Sequence, residues 1–424
     1  METALKTDYL VVGSGAVGMA FVDILLDETD ADIIIVDRFA KAGGHWNSAY
    51  PFVTLHQPSA FYGVCSRELS QGRLDETGLN KGLGDLATGA EILAYFDDIM
   101  RQKFLSSGRV RFYPMCDYQG EGRFNHKLSH KTYHVEHTRL VDCTHLNTTV
   151  PSTHTPNFTV ADDVRFMPLN DLPKITDQPA GYTVIGGGKT GIDACLWLLE
   201  NQVPPTKIRW VKSRDAWLIN RKHTQNHPDF FEDAIGNQAN MFEAIAGAKD
   251  KTDMFTRLET CGYFLRIDPN IQPTMFHGAT ISEAEMVALR QIKDIVRKGR
   301  VSAITSDTMT FQNGLTEPTL GHVIVDCSAS AIKSNVIKPV FDGKRITPQT
   351  VRAYQPVFSA AFIAHIEARD ISDAEKNGLC GVVPLPDDLD TFIRMTAANM
   401  MNQALWGQDK TPGEYDMMDV LGLA

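Results

Sequence analysis

Short apolar runs and a helix-type periodicity follow one another at the start of the chain. Residues 9–12 form a continuous apolar run, and residues 16–26 have the spacing of a buried helix. Residues 32–36 are a second strand-like run, apolar from 33 to 36. Runs that are apolar throughout are typical of strands in a parallel sheet covered on both faces. The pattern therefore predicts a βαβ unit as the opening of an α/β fold.

The segment after this unit is less regular. Residues 43–63 are rich in Gly, Ser and Pro, and a long irregular segment inside a compact domain is usually functional. The pattern predicts an amphipathic helix over 91–104 and strands over 109–113 and 131–142. Prolines at 151, 156, 168, 173 and 179 disfavour regular elements and predict a linker.

A second βαβ unit follows these prolines. The pattern predicts a strand over 182–185, a helix over about 190–200 and a strand over 207–211. It also predicts helices over 281–298 and 358–368 and a strand over 322–325, whereas 220–278 has helical patches without a motif. Two βαβ openings in one chain predict two Rossmann-like units.

The first unit has Gly13-Ser14-Gly15-Ala16-Val17-Gly18 between its strand and its helix. In a G-x-G-x-x-G motif the glycines permit a tight turn, a close approach of a pyrophosphate, and helix packing on the strand. The helix N-terminus offers free N–H groups and a positive dipole end to the phosphates. Asp37 ends the second strand, where a carboxylate accepts hydrogen bonds from an adenosine ribose. The unit suits FAD or NAD, and a glycine turn with only a packing role is the alternative.

The second unit repeats the motif as Gly186-Gly187-Gly188-Lys189-Thr190-Gly191. Its second strand is followed by Lys212 and Arg214, with no carboxylate at the position of Asp37. Lys and Arg pair with a 2′-phosphate, which a carboxylate would repel, so this unit suits NADP. The alternative is that both are solvated surface charges. Two dinucleotide sites in one chain imply hydride transfer from nicotinamide to flavin.

Composition excludes several other classes of protein. With 52 acidic and 41 basic side chains the net charge is −11, which argues against a nucleic-acid or anionic-membrane partner. The seven cysteines contain no C-x-x-C pair, which argues against zinc ribbons and dithiol redox centres. We predict no metal site, because His130, His134 and His137 of the histidine-rich segment do not share one strand face. No targeting signal and no membrane-spanning run is evident, so we expect a cytoplasmic protein.

Two further segments extend the pattern. Gly43-Gly44-His45-Trp46 and Leu55-His56-Gln57-Pro58 follow Asp37. Together with the glycine motifs they resemble the flavin-containing monooxygenase-like branch of the two-dinucleotide-binding-domain flavoproteins, over most of the chain. Residues 43–46 match the family's G-G-x-W element, and Gln57 lies near the place of an asparagine that helps hold the oxygenated flavin. The family's F-x-G-x-x-x-H-x-x-x-[FY] signature is missing, since residues 158–168 have neither its glycine nor its histidine.

The resemblance implies an FAD-binding domain of residues 1–160 and 331–424, interrupted by an NADPH-binding domain of residues 175–330. It implies FAD and NADPH as cofactors, with the N-terminus of the 358–368 helix facing the flavin pyrimidine edge; an ordinary capped helix is the alternative. Trp46 and Gln57 are the predicted catalytic residues. The predicted cofactor-binding residues are Gly13, Gly15, Ala16, Val17, Gly18, Asp37, Arg38, Gly44, Trp46, His56, Gln57, Gly186, Gly188, Lys189, Thr190, Gly191, Lys212, Arg214 and Gln355.

The resemblance also implies an activity. It is that of an FAD- and NADPH-dependent monooxygenase that oxidises a small organic substrate with O₂ through a C4a-(hydro)peroxyflavin. The missing signature leaves open a flavin-dependent oxidase or oxidative cyclase that uses O₂ without inserting oxygen. A catalytically silent NADPH-binding redox sensor is a third hypothesis, although it has no need of the 46–58 segment. A homo-oligomer is an open possibility.

Overall fold

The computed structural model describes residues 2–146, 148–330 and 336–408, and the elements below lie in those ranges. The strands are β1 (Thr3–Val12), β2 (Ile33–Val36), β3 (Val110–Tyr113), β4 (Cys116–Gly120), β5 (Arg123–His126), β6 (Thr132–Asp142), β7 (Thr159–Val160), β8 (Phe166–Pro168), β9 (Tyr182–Ile185), β10 (Ile208–Val211), β11 (Ala216–Asn220), β12 (Phe264–Leu265), β13 (Met275–Ile281), β14 (Asp294–Val296), β15 (Val301–Ile304), β16 (Thr308–Phe311), β17 (Thr316–Pro318), β18 (Val323–Asp326), β19 (Phe341–Asp342) and β20 (Arg345–Ile346). The helices are α1 (Ala16–Glu28), α2 (Gly89–Ile99), α3 (Lys189–Glu200), α4 (Phe231–Ala246), α5 (Lys251–Thr260), α6 (Glu283–Leu289), α7 (Pro356–Ala368), α8 (Asp373–Leu379) and α9 (Leu389–Trp406).

The first sheet joins distant parts of the chain. Its main order is β19-β20-β6-β1-β2-β3, with β4 and β5 as a hairpin beside β6. Strand β1 pairs in parallel with β2 on one side and β6 on the other, and the late strand β20 pairs in parallel with β6. Strand β2 consists of four buried β-branched residues, as a strand covered on both faces requires. We call this sheet with α1 and α7 the first unit.

The second sheet has the order β14-β10-β9-β18-β8, and all its pairings are parallel. Its strands lie between β6 and β20 in the chain, so this second unit, with α3, is inserted into the first. The predicted α/β class with two Rossmann-like units is therefore confirmed. The domain boundaries at 160, 175 and 331 stay a prediction, and residues 331–335 and 409–424 of the last range lie outside the described residues.

A smaller three-stranded sheet, β12-β11-β13, follows the second unit's β10. Its aromatic face forms a separate apolar cluster with α5 and α9. That cluster contains Trp217, Phe255, Phe264, Phe276 and Phe392, all of them almost fully buried. The segment that showed no motif thus folds onto α9.

Two predicted elements are wrong. The helix predicted over 281–298 is strand β13, the short helix α6 and strand β14. Ser282 and Glu285 form a capping box that starts α6, and the β-branched pair Ile295-Val296 lies in β14 beside β10. The linker predicted over 150–179 contains β8, which is an edge strand and therefore tolerates Pro168.

Helices α1 and α7 pack along each other. Their last turns meet where His365 Nδ1 lies 2.9 Å from the Glu28 carboxylate, so the two helices run in parallel. The N-terminus of α7 therefore lies at the same edge of the first sheet as the N-terminus of α1. In α/β folds this carboxyl edge is where ligands bind.

Candidate functional site

The first glycine turn has no space for a side chain at its third glycine. Gly13 has a φ of +100°, and a Cβ on Gly18 would lie 2.0 Å from the Gly13 carbonyl oxygen. Gly15 is the N-cap residue of α1, and the first turn of that helix, which includes Ala16 and Val17, has no acidic residue. The free N–H groups of this turn are thus available to an anion.

Asp37 closes this turn from the end of β2. Its Oδ2 accepts hydrogen bonds from the Ser14 backbone N–H at 2.6 Å and from the Ser14 hydroxyl at 2.7 Å. Its Oδ1 accepts from the Phe39 N–H at 2.8 Å. Arg38, the next residue, is exposed. The carboxylate is therefore held rigidly beside the glycine turn, at the edge where a ribose would lie.

The Gly43-Gly44 segment lies directly over the first turn. The Gly43 N–H donates to the Ser14 carbonyl at 2.8 Å. Gly44 has a φ of +55°, and a Cβ on it would lie 2.9 Å from the Gly15 Cα. The two backbones are thus in close contact, and a side chain at Gly44 would clash with Gly15. Trp46, two residues after Gly44, is buried. Its indole N–H donates to the Tyr62 hydroxyl at 2.7 Å.

His56 and Gln57 lie further along the same irregular segment, where it meets the inserted part of the chain. His56 Nδ1 accepts from the Thr280 N–H at 3.1 Å, and its carbonyl accepts from Arg221 Nε at 3.0 Å. Gln57 is half-buried. Its amide has no hydrogen-bond partner in the ranges that the structure describes, so it is free to meet a ligand.

The second glycine turn repeats the geometry of the first. Gly186 has a φ of +138°, and a Cβ on Gly191 would lie 2.1 Å from the Gly186 carbonyl oxygen. Trp210 Nε1 donates to that carbonyl at 2.7 Å and fixes the turn. A Cβ on Gly188, the N-cap residue of α3, would meet nothing within 4 Å. The second turn is thus open at the position where the first is covered.

Lys189 begins α3, followed by the half-buried Thr190. The Lys189 ammonium pairs with both carboxylate oxygens of Asp193, one turn later. The Tyr50 hydroxyl, from the first unit's irregular segment, also donates to Asp193. Burial and then the Asp193 charge hold the pKa of Tyr50 well above its ordinary value, so the hydroxyl stays protonated. This contact joins the two units at the second glycine turn.

The two basic residues after β10 differ in their surroundings. Lys212 is 1% exposed, and its ammonium lies 2.6 Å from Asp215 and 4.6 Å from the centre of the Trp210 ring. Arg297, at the end of the neighbouring β14, binds the other oxygen of Asp215 at 2.7 Å. Arg214 is exposed and has no ion pair with any residue in the described ranges. Arg214 is therefore the free cation at this strand end, whereas Lys212 is already neutralised.

Burial and pairing act in opposite directions on the pKa values of this cluster. Burial raises the pKa of Asp215, but the hydrogen bonds and charges of Arg297 and Lys212 outweigh it and lower the pKa below its usual range. Burial lowers the pKa of Lys212, against the opposing effect of Asp215. Sequence reasoning missed Arg297, because the helix predicted over 281–298 concealed the strand that ends at Val296.

A three-residue pattern, D-C-[ST], ends one strand in each unit. Asp142-Cys143-Thr144 ends β6 and Asp326-Cys327-Ser328 ends β18. In each, the aspartate Oδ1 accepts from the N–H and the hydroxyl two residues later, at 3.1 and 2.6 Å for Thr144 and at 2.9 and 2.6 Å for Ser328. Cys143 packs beside the first glycine turn and Cys327 beside the second. The repetition of these letters was the available sequence signal for this duplicated feature.

Gln355 lies at the N-cap position of α7, and its side chain makes no capping hydrogen bond. It lies at the carboxyl edge of the first sheet, as the first glycine turn does. Lys189, Thr190 and Arg214 lie instead beside the second glycine turn, at the edge of the second sheet. No group of three or more His, Cys, Asp or Glu side chains capable of holding a metal ion occurs in the described part of the chain. Within the same ranges, no helix combines the length and apolar character needed to cross a membrane.

Comparison with known proteins gives two kinds of match. The protein Rv2000 of Mycobacterium tuberculosis and Mb2023 of Mycobacterium bovis, both described as uncharacterized, are 44% identical over 406 residues, which is 96% of this chain and 75% of each relative. No family model matches. Among solved structures, cyclohexanone-bound cyclohexanone monooxygenase in the rotated conformation has a TM-score of 0.54 at 11% identity, covering 89% of this chain and 88% of that one. Its open form has a TM-score of 0.51 at 12% identity, covering 94% and 98%.

Proposed function

Because the chain belongs to the family of the mycobacterial protein Rv2000 and shares the fold of cyclohexanone monooxygenase, we propose that it is an FAD- and NADPH-dependent oxidoreductase. The observation that carries the proposal is the duplicated glycine turn, with Gly18 and Gly191 each placed against the carbonyl of the turn's first glycine. One such turn can serve packing alone. Two turns in two sheets, joined through Tyr50 and Asp193, favour two dinucleotides bound in one protein.

The first unit fits FAD. The N–H groups of Ala16 and Val17 at the start of α1 would bind the pyrophosphate, beside the close backbone contact of Gly15 with Gly44. Asp37 would hold the adenosine ribose, with Arg38 beside it in solvent. NAD is the other candidate for this unit, but it would not account for the covered turn or for the adjoining irregular segment.

The second unit fits NADPH. Gly188 leaves open space at the start of α3, which suits a cofactor that binds and leaves in each turnover. Lys189 would exchange its Asp193 partner for the pyrophosphate, and Thr190 lies at the same helix start. Arg214 would pair with the 2′-phosphate. Lys212 would contribute long-range attraction only, because Asp215 already neutralises it.

The proposed reaction is the monooxygenation of a small organic substrate with O₂. A bound flavin supplies hydride acceptance from nicotinamide and electron transfer to O₂. Gln57, with its unpartnered amide, would contact the reacting region, and Trp46 would shape its floor from within the first unit. The N-terminus of α7, with Gln355, would place positive dipole potential near the flavin pyrimidine, where reduction builds negative charge.

Anaerobic mixing with NADPH tests this proposal. The purified, yellow protein should lose its flavin colour within seconds, because both cofactors lie in one chain. A protein that contains no flavin, or whose flavin NADPH does not reduce, would contradict the proposal.

A second candidate is an oxidase that uses O₂ without inserting oxygen. It is favoured by the 158–168 segment, which lacks the monooxygenase signature and contains β7 and β8 instead. Turnover under ¹⁸O₂ separates the two: label in the organic product supports the monooxygenase, whereas label only in hydrogen peroxide or water supports the oxidase.

A further inference from the structure

The imidazole of His56 is fixed at the junction of the first unit and β13. The Thr280 N–H donates to its Nδ1 at 3.1 Å. A ring nitrogen that accepts a hydrogen bond bears no proton, so the proton of the neutral ring is on Nε2. The geometry therefore selects one tautomer.

The backbone of His56 is held as firmly as its ring. Arg221, 1% exposed, donates to the His56 carbonyl at 3.0 Å and to Asn80 Oδ1 at 2.9 Å. Its guanidinium also pairs with the Glu285 carboxylate at 2.9 Å. A buried, fully engaged arginine leaves little freedom for the residue it holds. The direction of the Nε2–H bond is thus set before any ligand binds.

The Nε2 atom has no hydrogen-bond partner among the residues that the structure describes, and the ring is partly exposed. It lies one residue before Gln57, whose amide is also free. Two adjacent polar side chains therefore end without partners where the first unit's irregular segment meets β13, near Lys189 at the start of the second unit's α3.

The electrostatic surroundings keep this ring uncharged. Burial, and then the nearby charges of Lys189 and Arg221, lower the pKa of His56 to about 3. Both cations are themselves paired, Lys189 with Asp193 and Arg221 with Glu285. A neutral donor among neutralised ion pairs favours an uncharged oxygen acceptor over a carboxylate or phosphate.

We propose that His56 Nε2–H is a fixed, uncharged hydrogen-bond donor to an oxygen atom of a reactant bound between the two units, and that it transfers no proton. The reactant part of this inference rests on the proposed function; the tautomer does not. A preorganised neutral imidazole polarises the bond to that oxygen without giving up its proton. The acceptor is a carbonyl, amide or hydroxyl oxygen, carried by the nicotinamide carboxamide or by the second reactant.

Nitrogen-15 NMR of the ¹⁵N-histidine-labelled full chain tests the protonation state. The His56 signals, assigned by their loss in His56→Asn, should show the Nε2–H tautomer without titrating between pH 8 and pH 5. A midpoint near the ordinary histidine value of about 6.5, or the Nδ1–H tautomer, would overturn the inference.

Two variants test the donor role in the flavin-loaded protein. In His56→Asn the amide oxygen can still accept the Thr280 N–H, but the donor at the Nε2 position is lost. In His56→Gln the amide nitrogen can reach the Nε2 position. We measure NADP⁺ binding by its perturbation of flavin absorbance, with adenosine 2′,5′-bisphosphate, which lacks nicotinamide, as the control ligand.

The two sources of the oxygen give different results. A loss of about tenfold in NADP⁺ affinity for His56→Asn alone, with the control ligand unchanged, identifies the carboxamide. Alternatively, NADP⁺ binding is unchanged but a greater share of the electrons from NADPH reduces O₂ to hydrogen peroxide, again for His56→Asn alone. That result identifies the second reactant as the carrier of the acceptor oxygen. His56→Asn equal to wild type in both assays, or His56→Gln the more damaged variant, assigns His56 a structural role and overturns the donor. A wild-type protein that binds no NADP⁺ refutes the proposed function instead, and the NMR result is unaffected.

Discussion

The two glycine turns have the same backbone geometry and opposite surroundings. In each, the third glycine of the motif lies against the carbonyl of the first, at positions where a Cβ would approach to 2.0 or 2.1 Å. In the first unit the middle glycine is covered by Gly44, whereas in the second unit Gly188 faces open space. The turn itself is therefore generic, and under the proposed function we expect its cover to distinguish a retained ligand from an exchanged one.

The strand ends beside the two turns differ in the same sense. Asp37 is a single carboxylate engaged with Ser14, which offers hydrogen-bond acceptance. The equivalent end of β10 has Lys212, Arg214 and the neighbouring Arg297, with Asp215 between two of them. We infer that the charge at the strand end selects the dinucleotide. The unpaired Arg214 should contribute most of that selection.

The largest expected effect comes from filling either turn. Gly18→Ala and Gly191→Ala each force a Cβ against a backbone carbonyl, which should cost about 3 kcal/mol or more. Gly18→Ala should yield a colourless protein, whereas Gly191→Ala should keep flavin and lose NADPH binding. Visible absorbance and thermal unfolding measure both outcomes. Gly188→Ala meets open space and is the control: because Gly188 is the N-cap residue of α3, it should lower the melting temperature far less than either.

Acid should weaken the first unit through two histidines. Burial lowers the pKa of His45 to about 4, and burial with two nearby cations lowers that of His56 to about 3. Below the unfolded value of about 6.5, the unfolded chain binds more protons than the folded one. As the pH is lowered from about 6.5 toward 4, the free energy of unfolding should thus decrease. The decrease is up to about 1.4 kcal/mol per pH unit for each histidine.

Urea unfolding at several pH values measures this slope. His45→Gln should reduce this slope by the contribution of one histidine, up to about 1.4 kcal/mol per pH unit. Burial also lowers the pKa of His322 beside the second unit's β18, so His322→Gln is the matched variant for that unit. If His45→Gln leaves the slope unchanged, the first unit's irregular segment does not bury a neutral His45.

Removing the free cation should change cofactor preference. Arg214→Ala should weaken NADPH by about 10- to 100-fold and leave NADH unchanged, because a charge-assisted contact contributes about 1.5–3 kcal/mol. Rapid-mixing reduction of the flavin gives both affinities. Lys207→Ala, an exposed lysine before the opposite end of β10, should have no effect. Equal losses for both cofactors would place the phosphate site elsewhere.

The smallest effect is expected at the contact between the units. Tyr50→Phe removes the hydroxyl that donates to Asp193, while Lys189 continues to pair with that carboxylate. We expect a stability loss of about 1 kcal/mol and slower flavin reduction by NADPH. Tyr95→Phe, which removes the hydrogen bond from the α2 tyrosine to the Arg67 carbonyl, should lower stability without slowing reduction. If both variants reduce flavin at the wild-type rate, the Tyr50 contact does not couple the units.

Local patterns predicted the parts of the site that depend on local geometry. Both βαβ openings and both glycine turns are where the motifs place them, because strand, turn and helix are contiguous there. The pairing of Tyr50 with Asp193, 143 residues apart, has no local signal. Neither does the contact of His56 with Thr280. Arg297 was missed because the apolar spacing of residues 281–298 fits both one helix and the observed sequence of strand, helix and strand.

The residues assigned to cofactor binding stay predictions, with different structural settings. Gly13 and Gly44 have positive φ values, and a Cβ on Gly18 or Gly44 would clash with backbone, whereas a Cβ on Gly15 would make only ordinary contact. Lys212 was predicted from its position after the strand, but a sequence gives no sign that Asp215, three residues later, turns back to it. Burial of a charged residue is decided by tertiary contacts rather than by its neighbours in the chain.

The insertion of one unit into the other has a consequence for how the chain is made. All strands of the second sheet are present once residue 326 has left the ribosome. The first unit then still lacks β20 of its sheet and the helix α7, which ends at Ala368. Since domains generally fold as units during synthesis, we expect the second unit to form while β1, β2 and β6 still lack their C-terminal cover. Truncation after β18 should therefore leave the first unit's apolar strands exposed, and under the proposed function flavin would have to enter after α7 has been synthesised.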